Sequence, residues 1–491
     1  MQKKQLIDHQ VGISGFSSHI PPYKIDLSDW CKWRANDWNK IRTVVGSSFR
    51  MRGPNENAYT MAATAVLRLI EQYKIDPSRI GYLALGTESS TDNSAGAIIV
   101  KGMVDKALAI KGKTPINREC EVPEFKQACL GGMYAMKAAA RYLMLDGQDK
   151  IGIVVCSDIA EYELYSSGEA TQGAGAIATL LETNPKLLNL ELDCSGSSSD
   201  YRGPDFRKPF FRFMQQIPGS YGQPRDFPIF NGKYSTICYI DAVLTALRSM
   251  FNKIDVEPID FIRNTAATFL HRPYQRMAET GLIMTYFLAL ALGNSPEEYY
   301  ELHRYAESGN ATAQELKEEL LGTNSISTDF MDYGVTNQTF SRSLQAAQHF
   351  RDSEEFSRLM TSLGLEQMKQ VGNLYTASLP SWIAAGLEEA VSKKIQLEGQ
   401  RILTIGYGSG DAAEIMPMTI AREWEVASNQ IKFEEGLRNY RNVDQQTYAA
   451  LHKGEITELE LVKQSEVFYI QKIGSRSKSF DDLGMEYYEF S

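Results

Sequence analysis

One arrangement recurs along the chain and limits what it can fold into: a helix-spaced stretch, a Gly-Gln pair, a short apolar strand, then a small polar loop. It occurs first around Gly147-Gln148 and Ile151-Gly-Ile-Val-Val-Cys156, and again around Gly399-Gln400, Arg401-Ile-Leu-Thr-Ile405 and the loop Gly406-Tyr-Gly-Ser-Gly410. Self-similarity of this kind marks an internal duplication. Because strands and helices alternate on both sides of it, the fold class is α/β, built as two pseudo-duplicated halves over residues 1–185 and 186–491. In such a layout, loops at the carboxyl ends of equivalent strands meet around one cleft.

The first half reads as a strand at 11–16, a helix at 56–73, a strand at 80–85, a helix at 95–109, the helix that follows Cys129 and the strand at 151–156. Helix 56–73 carries Ala58, Met61, Ala62, Ala65, Val66, Leu69 and Ile70 at helical spacing, and Asp76-Pro77 stops it. The second half reads as strands at 187–192, 259–266 and 401–405 with helices at 236–251, 276–292 and 375–391. Two stretches break the pattern: a polar helical insertion at 294–345, placed to cover the cleft, and a charged extension from 423 that closes with a strand at 467–473. Neither is assigned chemistry.

Composition excludes several classes. With 491 residues, 43% of them hydrophobic, the chain can bury a large core. Its net charge of -10 is spread without long single-sign runs, which argues against a nucleic-acid surface. An anionic ligand then needs a local basic patch, for which Arg207, Lys208 and Arg212, or Arg272 and Arg276, are the candidates. The six cysteines form no CxxC pair and no metal-ligand spacing, and the N-terminus lacks an apolar signal stretch, so reduced thiols in the cytoplasm are expected. The longest apolar run, 281–293, is too short to cross a bilayer.

Cys129 stands before a helix that opens with two glycines, a setting in which a helix N-terminus lowers a thiol pKa and little bulk obstructs it. A cysteine there is also an ordinary packing residue, so context has to carry the argument. Of the six histidines, only His271 lies at the end of an apolar strand; His9, His19, His303, His349 and His452 lie before the first strand, before Pro21-Pro22, in or beside the insertion, or in the polar C-terminal region. Glu88 holds the matching strand-end position in the first half, where a poorly solvated pocket raises a carboxyl pKa toward general-base use. A thiolate can take an acyl group, a carboxylate can remove a proton from carbon, and an imidazole can polarise a carbonyl.

A series of motifs accompanies these three residues: Glu124-Phe-Lys-Gln-Ala-Cys129-Leu-Gly-Gly, Ser157-Asp158-Ile-Ala-Glu-Tyr162, Gly168-Glu-Ala-Thr171-Gln-Gly-Ala-Gly175, Asn231-Gly-Lys-Tyr-Ser235, Phe269-Leu-His271-Arg-Pro273, Gly372-Asn373-Leu-Tyr-Thr376 and Gly406-Tyr-Gly-Ser409-Gly. In this order, and over nearly the whole chain, they resemble the signatures of the 3-hydroxy-3-methylglutaryl-CoA synthase family. The resemblance implies a thiolase-like fold in α-β-α-β-α layers, a homodimer, and a Claisen-type condensation of acetyl-CoA with acetoacetyl-CoA that uses coenzyme A thioesters as substrates and no cofactor or metal.

Residue roles follow from the same resemblance. Cys129 is expected to be acetylated, Glu88 to take a proton from the acetyl methyl, and His271 with Asn373 to hold the acceptor. The amide N–H groups of Cys129 and Ser409 are expected to form the oxyanion hole, with Asp158, Tyr162, Thr171 and Arg276 also on the substrate path. Leu130, Met133 and Arg276 depart from the residues usual at their positions, which bears on acceptor fit. Two other condensing enzymes share much of this set: a relative acting on acyl-carrier-protein substrates, and a decarboxylating β-ketoacyl-carrier-protein synthase III type, which has no need of Glu88.

Overall fold

The computed structural model describes residues 10–90, 95–147, 149–205, 227–229, 231–322, 326, 339–359, 363–456, 465–476 and 481–491. The candidate basic patch Arg207, Lys208 and Arg212 lies outside them. Among the described residues, one ten-stranded sheet organises the fold. Its first-half strands are β1 (Val11–His19), β2 (Ile80–Gly86), β3 (Glu124–Phe125), β4 (Ile151–Ala160) and β5 (Gly173–Thr183). Its second-half strands are β6 (Leu188–Leu190), β7 (Gly196–Ser199), β8 (Ala267–Leu270), β9 (Arg401–Gly408) and β10 (Ala412–Ile420). The order is β8-β9-β10-β6-β1-β5-β4-β2-β3, with β7 on β10.

The same three-strand unit is present twice. In the first half β2 runs parallel to β4, with Leu85 beside Val155, and β4 runs antiparallel to β5. In the second half β8 runs parallel to β9, with Leu270 beside Ile405, and β9 runs antiparallel to β10. Parallel strands covered on both faces should be apolar throughout, and β4 is buried at every position but one.

Helices α1 (Ala58–Gln72) and α2 (Gly96–Ile110) cover one face of the first-half strands, and α3 (Gly131–Leu145) covers the other. On the second half, α4 (Gly232–Phe251) and α5 (Gln275–Leu292) form the outer layer, while α6 (Ser378–Ser392) touches strands of both halves. These are the alternating layers the duplication implies. Local sequence sets the boundaries: α1 starts at a capping box in which Asn57 and Thr60 exchange side-chain and backbone bonds.

Three expectations need correcting. Residues 259–266 are not a strand; Pro258–Arg263 is a short helix and the strand is β8, starting at Ala267. Pro258 takes the first helical position, where its missing N–H costs nothing, and that signal outweighs the run's apolar content. The insertion also behaves differently, since its helices Pro296–Ser308, Ala313–Leu321 and Ser341–Phe350 pack on α5. Leu302, Tyr305, Leu316 and Phe350 thereby join the core, which explains why α5 is apolar all round. Finally, the C-terminal extension holds more than its closing strand: after the short helices Trp424–Ser428 and Phe433–Arg438 and the short strand Arg441–Asn442 come α7 (Gln445–Lys453) and β11 (Phe468–Ile473), which pairs antiparallel with β12 (Glu486–Phe490). No helix among the described residues is long and apolar enough to cross a membrane.

Candidate active site

The ends of β2, β4 and β9 and the starts of α3 and α6 converge on Cys129. Ala128, just before it, holds a left-handed φ of 43°, a conformation that costs an L side chain of order 1–3 kcal/mol and needs its surroundings to enforce it. Two close approaches do so. A Cβ on Gly132 would lie 2.3 Å from Cys156 Sγ on β4, and one on Gly408 would lie 2.4 Å from the Gln127 carbonyl. Only glycine lets β9 and α3 close around the cysteine loop.

Cys129 Sγ lies 3.8 Å from Glu88 Oε2, so the thiol donates toward the carboxylate. Cys129 also packs against the cluster of Ala160, Tyr162 and Tyr375, the two tyrosine rings meeting edge to face at 6.5 Å. Burial, then the Glu88 and Asp158 charges, pushes the thiol well above the usual cysteine range. This reverses the expectation of a lowered pKa. α3 begins at Gly131, two residues beyond Cys129, and the helix dipole is outweighed by desolvation and two nearby carboxylates. The resting group is a thiol with a carboxyl group beside it, not a stored thiolate.

Asp158 has a different place from the one expected of a substrate contact. Its Oδ1 accepts from Thr87 Oγ1, the Glu88 and Ser89 amides and Ser89 Oγ; its Oδ2 accepts from the Thr376 amide at 2.9 Å and from Thr376 Oγ1. All six donors are protein groups, and the residue is fully buried. Asp158 therefore braces the Glu88 loop of the first half against the start of α6 in the second. Burial raises its pKa, against those hydrogen bonds.

Asn373 is buried at this seam. Its amide donates to the Thr171 and Gln172 carbonyls, its Oδ1 accepts from the Tyr375 amide, and its side chain bonds that of Tyr162. Thr171 meets the site through its backbone, because its hydroxyl is turned to the Gly168 carbonyl at 2.8 Å. Ser409 follows β9, where Gly408 abuts the cysteine loop. The sequence reading missed what holds this loop: buried Asp205, whose Oδ2 accepts from Tyr407 Oη and the Gly410 amide.

His271 ends β8, its amide donating to Ile405. The ring is 2% exposed, and Nδ1 has no hydrogen-bond partner among the described residues. Burial drives its pKa down to about 3, so the imidazole is neutral. A neutral imidazole can donate to a carbonyl without bringing a buried charge. Of the basic candidates, Arg272 is not an anion site: it is buried and donates to Gln275 Oε1 and the Met368 and Val45 carbonyls. Arg276 is partly exposed and pairs with Glu279 at 3.6 Å, one helical turn on. Leu130 and Met133 are core residues, Leu130 wedged against Gly406 and Gly408, so neither departure lines the polar site. Among the described residues no group of three or more His, Cys, Asp or Glu side chains is arranged to hold a metal ion.

A partly buried thiol with a carboxylate in reach, packed with Tyr162 and Tyr375 beside the buried Asn373 amide of a duplicated α/β fold, is equipped for acyl transfer and carbon–carbon bond formation. That defines a condensing enzyme of thiolase-like fold. Residues 7–186 match the family described as hydroxymethylglutaryl-coenzyme A synthase N terminal, and residues 221–489 match its C-terminal counterpart. The chain belongs to the hydroxymethylglutaryl-CoA synthase family, whose members are acyl-condensing enzymes. It is 26% identical to the hydroxymethylglutaryl-CoA synthase of Enterococcus faecalis over 405 residues, 82% of this chain and 81% of that one. A solved structure of MvaS in complex with 3-hydroxy-3-methylglutaryl coenzyme A superposes with a TM-score of 0.75 at 25% identity, covering 99% of this chain and all of that one. The curacin biosynthetic pathway HMG synthase in complex with acetyl donor-ACP shares the fold, with a TM-score of 0.68 at 16% identity over 98% of this chain and all of that one.

Proposed function

We propose that the chain condenses acetyl-CoA with acetoacetyl-CoA and water to give 3-hydroxy-3-methylglutaryl-CoA and CoA, with Cys129, Glu88 and His271 as its catalytic residues. The observation that carries this is the contact of the Cys129 thiol with Glu88 at 3.8 Å. A decarboxylating synthase makes its carbanion by losing CO₂ and has no use for a carboxylate at the nucleophile. Glu88 accepts the thiol proton as sulfur attacks the acetyl thioester, and the proton leaves with the CoA sulfur. Glu88 then removes a proton from the acetyl methyl, made acidic by the adjacent thioester.

The enolate carbon attacks the acetoacetyl ketone, which His271 and Asn373 hold, and the resulting alkoxide takes up the proton that Glu88 removed from the methyl, restoring the Glu88 carboxylate. Water finally cleaves the Cys129 thioester, restoring the thiol and leaving a carboxylate on the product. Amides of Cys129 and Ser409 stabilise the oxyanion at both thioester steps. Tyr162, Thr171 and Arg276 lie along the substrate path, while Asp158 serves the site by holding Glu88 in place.

An acceptor carried on CoA is favoured by the 25% identical neighbour that holds a CoA product, since the carrier-protein complex is matched through the fold alone. Two halves at 1–185 and 186–491, a homodimer, a cytoplasmic setting and no cofactor beyond the CoA substrates complete the reading. Intact-protein mass spectrometry tests it. Acetyl-CoA alone should leave one acetyl group, mapping to Cys129, and acetoacetyl-CoA should clear it; an adduct on Cys120 or Cys156, or one insensitive to the acceptor, would contradict the proposal.

A further inference from the structure

The charged C-terminal extension reaches the site from behind. Both backbone groups of Tyr162 are bound by side chains: its amide donates to Gln172 Oε1 at 2.9 Å, and its carbonyl lies 2.7 Å from Nε2 of His452 on α7. The same Nε2 lies 3.2 Å from Gln172 Oε1. Because both neighbours are acceptors, Nε2 must carry the proton, which fixes the imidazole's orientation. His452 is 5% exposed, with its ring against Phe227 at 5.2 Å.

The Gln172 amide is oriented in turn. Its Nε2 donates to Tyr448 Oη at 2.9 Å, and that hydroxyl donates to Glu169 Oε1 at 2.8 Å. Buried Glu169 also takes Arg34, Trp30 and the Tyr165 amide. The far end of Tyr162 then faces the chemistry, packed in one cluster with Cys129 and Tyr375 and with its side chain bonded to that of Asn373. Gln172 also touches Asn373 directly, since its carbonyl accepts the Asn373 amide.

We propose that His452, with Gln172 and Tyr448, is a positioning residue of the condensation: it clamps the Tyr162 backbone and so sets Asn373, making α7 a working part of the acceptor site. The proposal rests on the reading of Asn373 as an acceptor-holding residue. Misplacing a group that orients substrate by a fraction of an ångström is felt directly in rate.

The test measures kcat/KM for acetoacetyl-CoA and, separately, acetylation of Cys129 by acetyl-CoA. In His452→Ala, kcat/KM for the acceptor should fall about tenfold while acetylation changes less than about twofold. Glutamine can place an N–H where imidazole Nε2 stood, so His452→Gln should recover most of the loss. In a Tyr162→Phe background, which already lacks the hydroxyl contact to Asn373, the alanine substitution should cost less than about threefold, as expected of two residues acting through one contact.

Equal losses in both backgrounds, or equal losses in acetylation and condensation, would make His452 a plain folding residue and overturn the proposal. Should His452→Ala not accumulate as folded protein, Tyr448→Phe decides, with an acceptor-side loss supporting the clamp and wild-type behaviour refuting it. A wild-type protein that acetylates but never condenses would instead refute the functional reading itself.

Discussion

The two halves of the sheet carry the same three-strand unit and finish it with opposite chemistry. In the first half, the loop after β2 brings Glu88 to the Cys129 thiol, and buried Asp158 ties that loop down with every acceptor position used. In the second half, the loop after β8 brings a neutral imidazole with an unused ring nitrogen, and buried Asp411, beyond β9, has neither oxygen hydrogen-bonded among the described residues. Duplication supplies equivalent positions, not equivalent roles. On the proposed mechanism, the first half takes and activates the acyl donor and the second receives the acceptor.

The largest effects should come from breaking the donor side. Cys129→Ala should abolish both acetylation and turnover while the protein still folds, as checked by mass and circular dichroism. Glu88→Gln keeps the loop's shape but loses the basic oxygen, so turnover should drop about 10²- to 10⁴-fold while acetyl-enzyme accumulates with acceptor present. On the acceptor side, His271→Ala should cost about 10²- to 10³-fold in condensation, as for loss of one oxyanion donor, with Cys129 acetylated nearly as fast as in wild type. An acetylation rate reduced as much as turnover would move His271 to the donor side and break the comparison.

The two buried acids sharpen it further. Asp158→Asn turns one acceptor into a donor facing the Thr376 or Glu88 amide, which should lower stability by about 3 kcal/mol in denaturant unfolding. Asp411 should behave in the opposite sense. Burial, opposed by Arg202 and assisted by Asp205, pushes its carboxyl up to about 7. A raised folded-state pKa means the folded protein holds a proton the unfolded chain has released. The stabilising share is thus complete below pH about 4 and lost as pH rises through about 7. Asp411→Asn should flatten that fall, making the variant relatively more stable than wild type at pH 8 than at pH 5.

The fold was legible where pattern and punctuation agreed. Helix Ala58–Gln72 and strands β2 and β4 lie within two residues of their expected starts, because apolar spacing and the stops at Asp76-Pro77 and Gly86 point the same way. At 259–266 they disagreed, and the proline at the helix start overrode the apolar run. Glu88, Cys129 and His271 could be singled out because each stands at the end of an apolar strand or the start of a helix. What remained hidden depends on long-range partners. The donors of Asp158 come from residues 87–89 and 376, the Cys129 environment from two carboxylates and two tyrosines, and the His452 contact from residues almost three hundred positions earlier.

The division of labour between the halves is tested most directly by exchange of the acetyl methyl protons of a Cys129-bound acetyl group, or a stable analogue, with deuterated solvent, followed by mass spectrometry. Wild type and His271→Ala should both exchange, because the donor half makes the enolate without the acceptor residue, and Glu88→Gln should not. Exchange by Glu88→Gln at the wild-type rate would remove Glu88 as the base and contradict the account.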